Sequence, residues 1–251
     1  MSASTAVAIF AAGLAAGTIN TIVGSGSLIT FPTLLAVGYP AVTANVTNTV
    51  GLVPGVVSGS VGYRRELSGQ RQRLVVLGVP AVAGGLTGGV LLLVLPGAVF
   101  RTIVPVLILV ACGLVLAQPE LSRRLAARRE GGDRHGGVGL GVTVFATGVY
   151  GGDFGAAQGV ILIALLAIFL SDDLQRLNAA KNVLAMLVNG VAALLFIAVA
   201  HVAWGAAGVL AVGSTIGGQL GATVGRRLSA PLLRGVIVVV GAAVAVVLLV
   251  E

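Results

Sequence analysis

Apolar residues follow one another in long stretches along almost the whole chain, and short polar segments separate these stretches. The stretches 74–95 and 236–250 contain no charged side chain. A helix of roughly 20 apolar residues matches the roughly 30 Å thickness of a bilayer's hydrocarbon core. One such stretch could form the buried core helix of a soluble protein, but the series of seven or more predicts an all-α integral membrane protein.

The overall composition leads to the same class. Of the 251 residues 57% are hydrophobic and only 9% are charged, and the mean hydropathy is +1.08. A soluble globular domain has about a quarter of its residues charged, so this chain has too little polar surface to face water. We therefore expect a multi-pass protein of the cell membrane, with lipid as its first partner.

The net charge of +7 would favour a nucleic-acid partner if the chain were soluble. Its basic residues instead cluster in connectors between apolar stretches, an arrangement that orients membrane proteins with their basic loops in the cytoplasm. The main clusters are Arg64, Arg65, Arg71 and Arg73; Arg123, Arg124, Arg128, Arg129 and Arg134; and Arg226, Arg227 and Arg234. No nucleic-acid fold signature accompanies them, so we expect no nucleic-acid partner.

The chain contains the same order of parts twice. Residues 1–117 form the first predicted transmembrane repeat, 138–251 form the second, and the Arg-rich segment 118–137 is the cytoplasmic linker. Each repeat consists of an apolar helix, a glycine-rich break, a short apolar helix and three long spans, the first of which starts with asparagines. The breaks lie at 24–27 and 151–159. Each break predicts a re-entrant pair of short helices.

The distribution of basic residues predicts how the two repeats are oriented. If each break folds the chain back, each repeat crosses the membrane three times, and the second repeat is inverted relative to the first. Fourteen of the 15 basic residues, all except Arg101, then fall on one side. Four crossings per repeat would split them nine against six. The positive-inside rule therefore favours two inverted repeats.

Inverted repeats with interrupted helices are a recurrent transporter architecture, in which the substrate binds at the repeat interface near mid-membrane. Backbone at a break must be buried in protein or line a cavity. The unpaired N–H groups and dipoles at the N-termini of the short helices favour an anion. Regularly spaced glycines, such as those at 51, 55 and 59, are instead typical of close helix packing. The sequence thus predicts a secondary carrier for a small anionic solute.

The predicted substrate-binding residues come from both breaks and from the asparagine-bearing helices that follow them. They are Asn20, Gly24, Ser25, Gly26, Ser27, Thr47, Asn48, Gly155, Gln158, Gly159, Lys181 and Asn182. Lys181 is the only lysine, and it lies one turn inside an apolar helix at the position that corresponds to Thr47. It either faces the site as an intramembrane charge or extends to the cytoplasmic interface.

Asp153 is the predicted proton-coupling residue, because it lies within the second break. Its carboxylate is expected to relay a proton or to pair with Lys181. The alternative is an aspartate that caps a helix near the membrane surface. The other amides in the apolar helices, among them Asn45, Asn178 and Asn189, either hold helices together or line the path.

The breaks and the helix starts after them resemble the TauE/SafE sulfite exporter family of membrane permeases. The residues that carry the resemblance are Gly24 to Ser27 with Phe31-Pro32, Ala44 to Asn48, Gly148 to Gly159 and Asn178 to Asn182. The chain departs from the family pattern at Ser25, Ser27 and Asp153. The resemblance implies a permease for sulfite, an organosulfonate or another small sulfur-containing anion.

Other functional classes find less support in the sequence. No Gly-x-x-x-x-Gly-Lys-Ser/Thr loop is present, and the spans have no cluster of His, Cys or carboxylate side chains. We therefore expect no enzymatic activity, no cofactor and no metal site. A passive anion channel and a carrier of a small non-sulfur carboxylate stay open as alternatives, and so does a homodimer.

Overall fold

The computed structural model describes residues 1–95, 137–170 and 172–223, together with isolated helical positions at 106, 109, 113, 116, 117, 120 and 239. All regular secondary structure in the three ranges is helical, which confirms the predicted all-α class. The helices are α1 (Ala3–Ile22), α2 (Ser27–Ala36), α3 (Ala41–Gly62), α4 (Arg71–Val94), α5 (Gly137–Asp153), α6 (Gln158–Phe169), α7 (Leu174–Val199) and α8 (Trp204–Thr223). The predicted spans 97–117 and 231–250 and the linker 118–137 lie almost entirely outside the described residues.

Three of the described helices, α1, α4 and α7, are long and apolar enough to cross a membrane, with 20, 24 and 26 residues. At 1.5 Å per residue, α4 and α7 extend over roughly 36–39 Å, which exceeds the hydrocarbon thickness of about 30 Å. Many large apolar side chains on these helices are exposed, as expected for surfaces that face lipid. The chain is a multi-pass membrane protein.

The first helix of each predicted short pair is longer than expected. α1 has 20 residues and α5 has 17, whereas α2 and α6 have 10 and 12. The glycines inside α1 do not interrupt the helix. Two of them, Gly13 and Gly17, instead let α1 pack closely against α8. A Cβ atom at Gly13 would lie 2.8 Å from the carbonyl oxygen of Leu210, and one at Gly17 would lie 2.2 Å from that of Ser214.

One group of parallel helices consists of α1, α3 and α8. The contacts of α1 with α8 advance together along both helices, from Gly13 and Leu210 to Gly17 and Ser214. The contacts of α3 with α8 advance in the same way, and they run from Gly51 beside Leu210 to Gly62 beside Ala222. These three helices therefore point in one direction.

A second parallel group consists of α4, α5 and α7. Its contacts also advance together along the chain. The pairs are Gly84–Gly148 and Gly88–Asp153 between α4 and α5, and Gly78–Leu187 and Gly89–Leu195 between α4 and α7.

The two groups meet where α3 packs against α7. There Thr47, near the start of α3, accepts a hydrogen bond from the N–H of Ala203, just after α7, at 3.1 Å. Tyr63, just after α3, packs against Ala179, near the start of α7. The second group is therefore antiparallel to the first.

An ion-pair cluster joins the start of α4 to the start of α7. The carboxylate of Asp172 accepts a hydrogen bond from Arg73 Nη1 and another from Arg176 Nε, each at 2.8 Å. Partial burial raises the pKa of Asp172. The hydrogen bonds from Arg73, from the N–H of Asp173 and from Arg176 lower the pKa by more, so that it lies below its usual value. The carboxylate is therefore charged at neutral pH and holds the two helix starts together.

Glycine makes the closest helix contacts in the bundle. A Cβ atom at Gly217 of α8 would lie 2.1 Å from the carbonyl oxygen of Leu14, whereas one at Gly208 of the same helix would have no atom within 4 Å. Small residues let helix backbones approach closely in a bilayer, where packing rather than hydrophobic burial drives association. The predicted packing role of the regularly spaced glycines is confirmed at Gly51, Gly55 and Gly59, where an added Cβ atom would lie 2.4–2.7 Å from an atom of another helix.

We expect Gly217→Ala to lower the free energy of unfolding in detergent by about 1–3 kcal/mol, because the new methyl group must push α1 away from α8. Gly208→Ala is the matched control on the same helix, and it should leave stability unchanged or raise it, since alanine favours the helix by up to about 1 kcal/mol over glycine. Thermal or denaturant unfolding of both variants measures this. Equal effects of the two substitutions would contradict the packing role.

Candidate functional site

The two helix breaks contact each other through their backbones. The N–H of Gly159, at the start of α6, donates a hydrogen bond to the carbonyl oxygen of Gly24, just after α1, at 3.0 Å. A Cβ atom at Gly24 would lie 2.4 Å from the Cα atom of Gly159, and one at Gly159 would lie 2.5 Å from the Cα atom of Gly24. Only glycine at both positions allows this approach.

Glycine also allows the turn in each break. Gly24 has a φ of +87° and Gly155 has a φ of +75°, a left-handed conformation that side chains with a Cβ atom rarely adopt. The N–H groups of Val23 and Gly24 both bond to the carbonyl of Ile19, which ends α1. In the second break the N–H of Gly155 bonds to the carbonyl of Tyr150 and ends α5.

Polar side chains surround the start of α2. The N–H of Gly26 donates to Asn20 Oδ1 at 3.4 Å. Asn48 of α3 accepts a hydrogen bond from the hydroxyl of Thr30 and donates one to Ser27 Oγ, the latter at 3.2 Å. Ser25 is 1% exposed, and its hydroxyl has no hydrogen-bond partner among the described residues. A buried hydroxyl thus lies next to the contact between the two breaks.

The start of α6 presents a similar arrangement. Gln158 is 3% exposed and accepts a hydrogen bond from Asn189 Nδ2 at Oε1, at 3.3 Å. Its amide nitrogen Nε2 is buried and has no acceptor within the part of the chain that the structure describes. Gln158 directly precedes Gly159, and Ser25 directly follows Gly24. Two unpaired polar groups therefore flank the same backbone contact.

Lys181 caps the C-terminal end of α1. Its ammonium group donates to the carbonyl oxygens of Asn20 at 3.2 Å and Thr21 at 3.3 Å. Asn178 and Asn182 each donate a further hydrogen bond to the Thr21 carbonyl at 3.3 Å. Lys181 is 1% exposed, so its side chain is enclosed by the bundle and does not extend to the protein surface. A positive charge at a helix C-terminus also interacts favourably with the helix dipole.

Asp153 is the last residue of α5. The side-chain amide of Asn45 bonds to this helix end, as Lys181 bonds to the end of α1. The backbone carbonyl of Asp153 accepts a hydrogen bond from Asn45 Nδ2 at 2.6 Å. The predicted pairing with Lys181 is wrong, since the ammonium contacts the end of α1 instead. Thr47, the counterpart of Lys181, bonds to the N–H of Ala203 and does not face either break.

An aromatic pair closes one side of the site. The rings of Phe31 in α2 and Phe154 in the second break pack edge to face, with centroids 5.3 Å apart and an interplanar angle of 87°. Both side chains are buried. The contact brings α2 of the first repeat against the break of the second. An apolar wall next to unpaired polar groups is typical of sites for small ligands.

Most of the residues predicted for the site lie together, and two residues that contact them were not predicted. Asn20, Gly24 to Ser27 and Asn48 surround the start of α2, and Gly155, Gln158 and Gly159 surround the start of α6. Thr30 and Thr21 were not predicted. Thr30 lies three residues after Ser27 in one helix, and that i, i+3 spacing could have placed it on the same face. Thr21 contributes only its backbone carbonyl, for which the sequence carries no signal.

An all-helical bundle whose interrupted helices meet in its interior is typical of membrane transporters. The chain belongs to the sulfite exporter TauE/SafE family, whose model matches residues 9–248. This confirms the family that the sequence motifs resemble.

Two relatives carry transporter names. The chain is 28% identical over 248 residues to the probable membrane transporter protein YfcA of Escherichia coli strain K12, and the match covers 96% of this chain and 88% of the relative. It is also 28% identical over 231 residues to a probable membrane transporter protein of Haemophilus influenzae, with 92% and 89% covered. No solved structure matches the chain.

We expect Lys181→Met to lower the free energy of unfolding by roughly 1–3 kcal/mol, because the carbonyl of Asn20 loses the only hydrogen bond that the described residues give it. Gln175→Met is the control, because it removes an exposed polar side chain from the same helix. Thermal unfolding in detergent measures both variants. If Lys181→Met were as stable as the wild type, the cap would have no structural role.

Proposed function

We propose that this protein is a secondary carrier that binds a small anion, sulfite or an organosulfonate, between the N-terminal ends of α2 and α6. The observation that carries the proposal is the contact of Gly24 with Gly159, flanked by the unpaired Ser25 hydroxyl and Gln158 amide nitrogen. These polar groups lie in an otherwise apolar bundle. A desolvated anion needs such donors in place of its hydration shell.

The donors around this contact suit a small oxyanion. Helix N-termini carry the positive end of the helix dipole. At the start of α6 the N–H groups of Gln158, Gly159 and Val160 already bond to backbone carbonyls, so the dipole and the side chains supply the attraction for an anion. Ser25 and Gln158 add one hydroxyl and one amide N–H, and Ser27 adds a second hydroxyl. Lys181 is linked to the same region through Asn20. Its ammonium group donates to the backbone carbonyl of Asn20, and the side chain of Asn20 accepts a hydrogen bond from the N–H of Gly26. A carboxylate could use the same donors, so the anion's identity rests on the family.

A carrier fits the closed contact better than a pore does. The hydrogen bond from Gly159 to Gly24 leaves no room for a solute between these two glycines. A solute can reach the donors only after the two breaks separate, so each passage requires a conformational change. This favours alternating exposure of one site over an open channel.

We also propose that the two repeats, 1–117 and 138–251, are inverted in the membrane. Corresponding helices are α1 and α5, α3 and α7, and α4 and α8. The two members of each pair belong to different parallel groups, and α3 contacts α7 in antiparallel orientation. If each helix is replaced by its counterpart, each major packing pair becomes another such pair or stays the same. For example, α1 with α8 becomes α5 with α4, and α3 with α7 is unchanged.

The inverted arrangement predicts the side on which each connector lies. Ser68 lies between α3 and α4, His201 lies between α7 and α8, and both are exposed. In a variant with Cys112 replaced by alanine, Ser68→Cys should react with a membrane-impermeant thiol reagent only from the cytoplasmic side. His201→Cys should react only from the opposite side. Labelling of both cysteines from one side would contradict the arrangement.

Transport in liposomes tests the carrier. We expect saturable sulfite uptake that shows counterflow, and we expect Ser25→Ala with Gln158→Leu to lower uptake at subsaturating sulfite about tenfold or more. Ser60→Ala is the control, since this buried hydroxyl bonds only within its own helix, to Val56.

Three outcomes would overturn parts of the proposal. Undiminished uptake in the double variant would remove these donors from the site. Conductance in single-channel steps would indicate a pore instead of a carrier. Uptake of acetate but not of sulfite or methanesulfonate would assign the site to carboxylates.

A further inference from the structure

Two buried side-chain oxygen atoms, one on α5 and one on α3, belong to residues that meet at the C-terminal end of α5, and each is suited to accept a hydrogen bond or bind a cation. These are Asp153 Oδ1 and Asn45 Oδ1, and neither has a hydrogen-bond partner among the described residues. Asn45 is 1% exposed. Its amide nitrogen donates to the backbone carbonyl of Asp153 at 2.6 Å, so both side chains lie beside the same carbonyl.

The corresponding end of α1 has the cation that the end of α5 lacks. There the ammonium of Lys181 contacts the last carbonyls of α1. The sequence has Thr47 at the corresponding position of α3, and its hydroxyl is engaged with Ala203. The end of α5 therefore combines a carboxylate, an amide oxygen and the negative end of a helix dipole.

The helices that pack around this end offer no fixed positive charge. In the described ranges, α2, α3 and α6 contain no charged residue, and the charged residues of α4 and α7 are Arg71, Arg73, Arg176 and Lys181, toward the opposite end of the bundle. Tyr150 of α5 donates its hydroxyl to the carbonyl of Ala156. His201 lies exposed on the connection after α7.

We propose that the end of α5 binds a monovalent metal cation, with Na⁺ as the fitting ion, through Asp153 Oδ1, Asn45 Oδ1 and adjacent backbone carbonyls. Asp153 is partly buried, and its Oδ1 atom is enclosed without a partner among the described residues. A carboxylate oxygen that loses water without gaining a partner is costly. Hard cations prefer oxygen ligands, and carbonyls at interrupted helix ends coordinate Na⁺ in transporters. One carboxylate matches one positive charge. If the proposed anion carrier is correct, this ion is its coupling ion.

Thermal unfolding of the full chain in detergent tests the site without any anion substrate. At constant pH and ionic strength, replacing choline chloride by NaCl should raise the midpoint temperature by roughly 3–6 °C when Na⁺ is about tenfold above its dissociation constant. Asp153→Asn and Asn45→Leu should each abolish this rise. Asp173→Asn, at an exposed aspartate that caps α7, should retain it.

Binding of ²²Na⁺ to the wild-type protein provides a second measurement if a variant does not fold. Equal midpoints in NaCl and choline chloride together with no ²²Na⁺ binding would overturn the proposal, as would a Na⁺ effect that persists in both variants. A midpoint that responds to pH but not to Na⁺ would assign Asp153 to a proton instead. Sulfite uptake without a Na⁺ effect would reject only the cation site, and a Na⁺ effect without uptake would reject only the anion carrier.

Discussion

The backbone contact between Gly24 and Gly159 is the constraint on which the rest of the described bundle depends. A helix that stops inside a membrane exposes N–H and C=O groups where no water can bind them, and each unpaired group costs several kcal/mol. The N–H of Gly159 meets part of this requirement by bonding to the carbonyl of Gly24. The approach is so close that neither residue can carry a Cβ atom. The two breaks are therefore folded as one unit, although 135 positions separate them in the sequence.

The C-terminal ends of the two interrupted helices, α1 and α5, are capped by side chains from the opposite half of the chain. The end of α1 is capped by Lys181, Asn178 and Asn182 of α7, and the end of α5 is capped by Asn45 of α3. Neither half contains the side-chain donors that cap the last carbonyls of its own broken helix. Each half alone would thus leave several buried carbonyls unpaired, and this ties the stability of each break to the presence of the other half.

The sequence was sufficient to predict what depends on local pattern and composition. Long uncharged stretches predicted the helices, irregular glycines at 24–26 and 151–159 predicted the breaks, and regular glycines predicted close packing. Partners across the fold could not be predicted, because periodicity does not indicate which turn of one helix faces which turn of another. Lys181 was therefore recognised as unusual, but its contact with the end of α1 was not foreseen. Thr47 was assigned to the site by its correspondence to Lys181, yet a threonine is too short to make the same contact and bonds to Ala203 instead.

This difference between Lys181 and Thr47 gives the two halves unequal roles. The end of α1 is capped by an amine that belongs to the protein, since Lys181 Nζ donates to the carbonyls of Asn20 and Thr21. The end of α5 has only acceptor oxygens from Asp153 and Asn45, so any positive charge there must come from solution and can leave again. Because Asp153 lies in the same break as Gly159, six residues before it, a change in the charge of Asp153 acts close to the contact of Gly159 with Gly24. On the proposed cation site, one break is held by the protein's own side chains, and the position of the other depends on the ion that it binds.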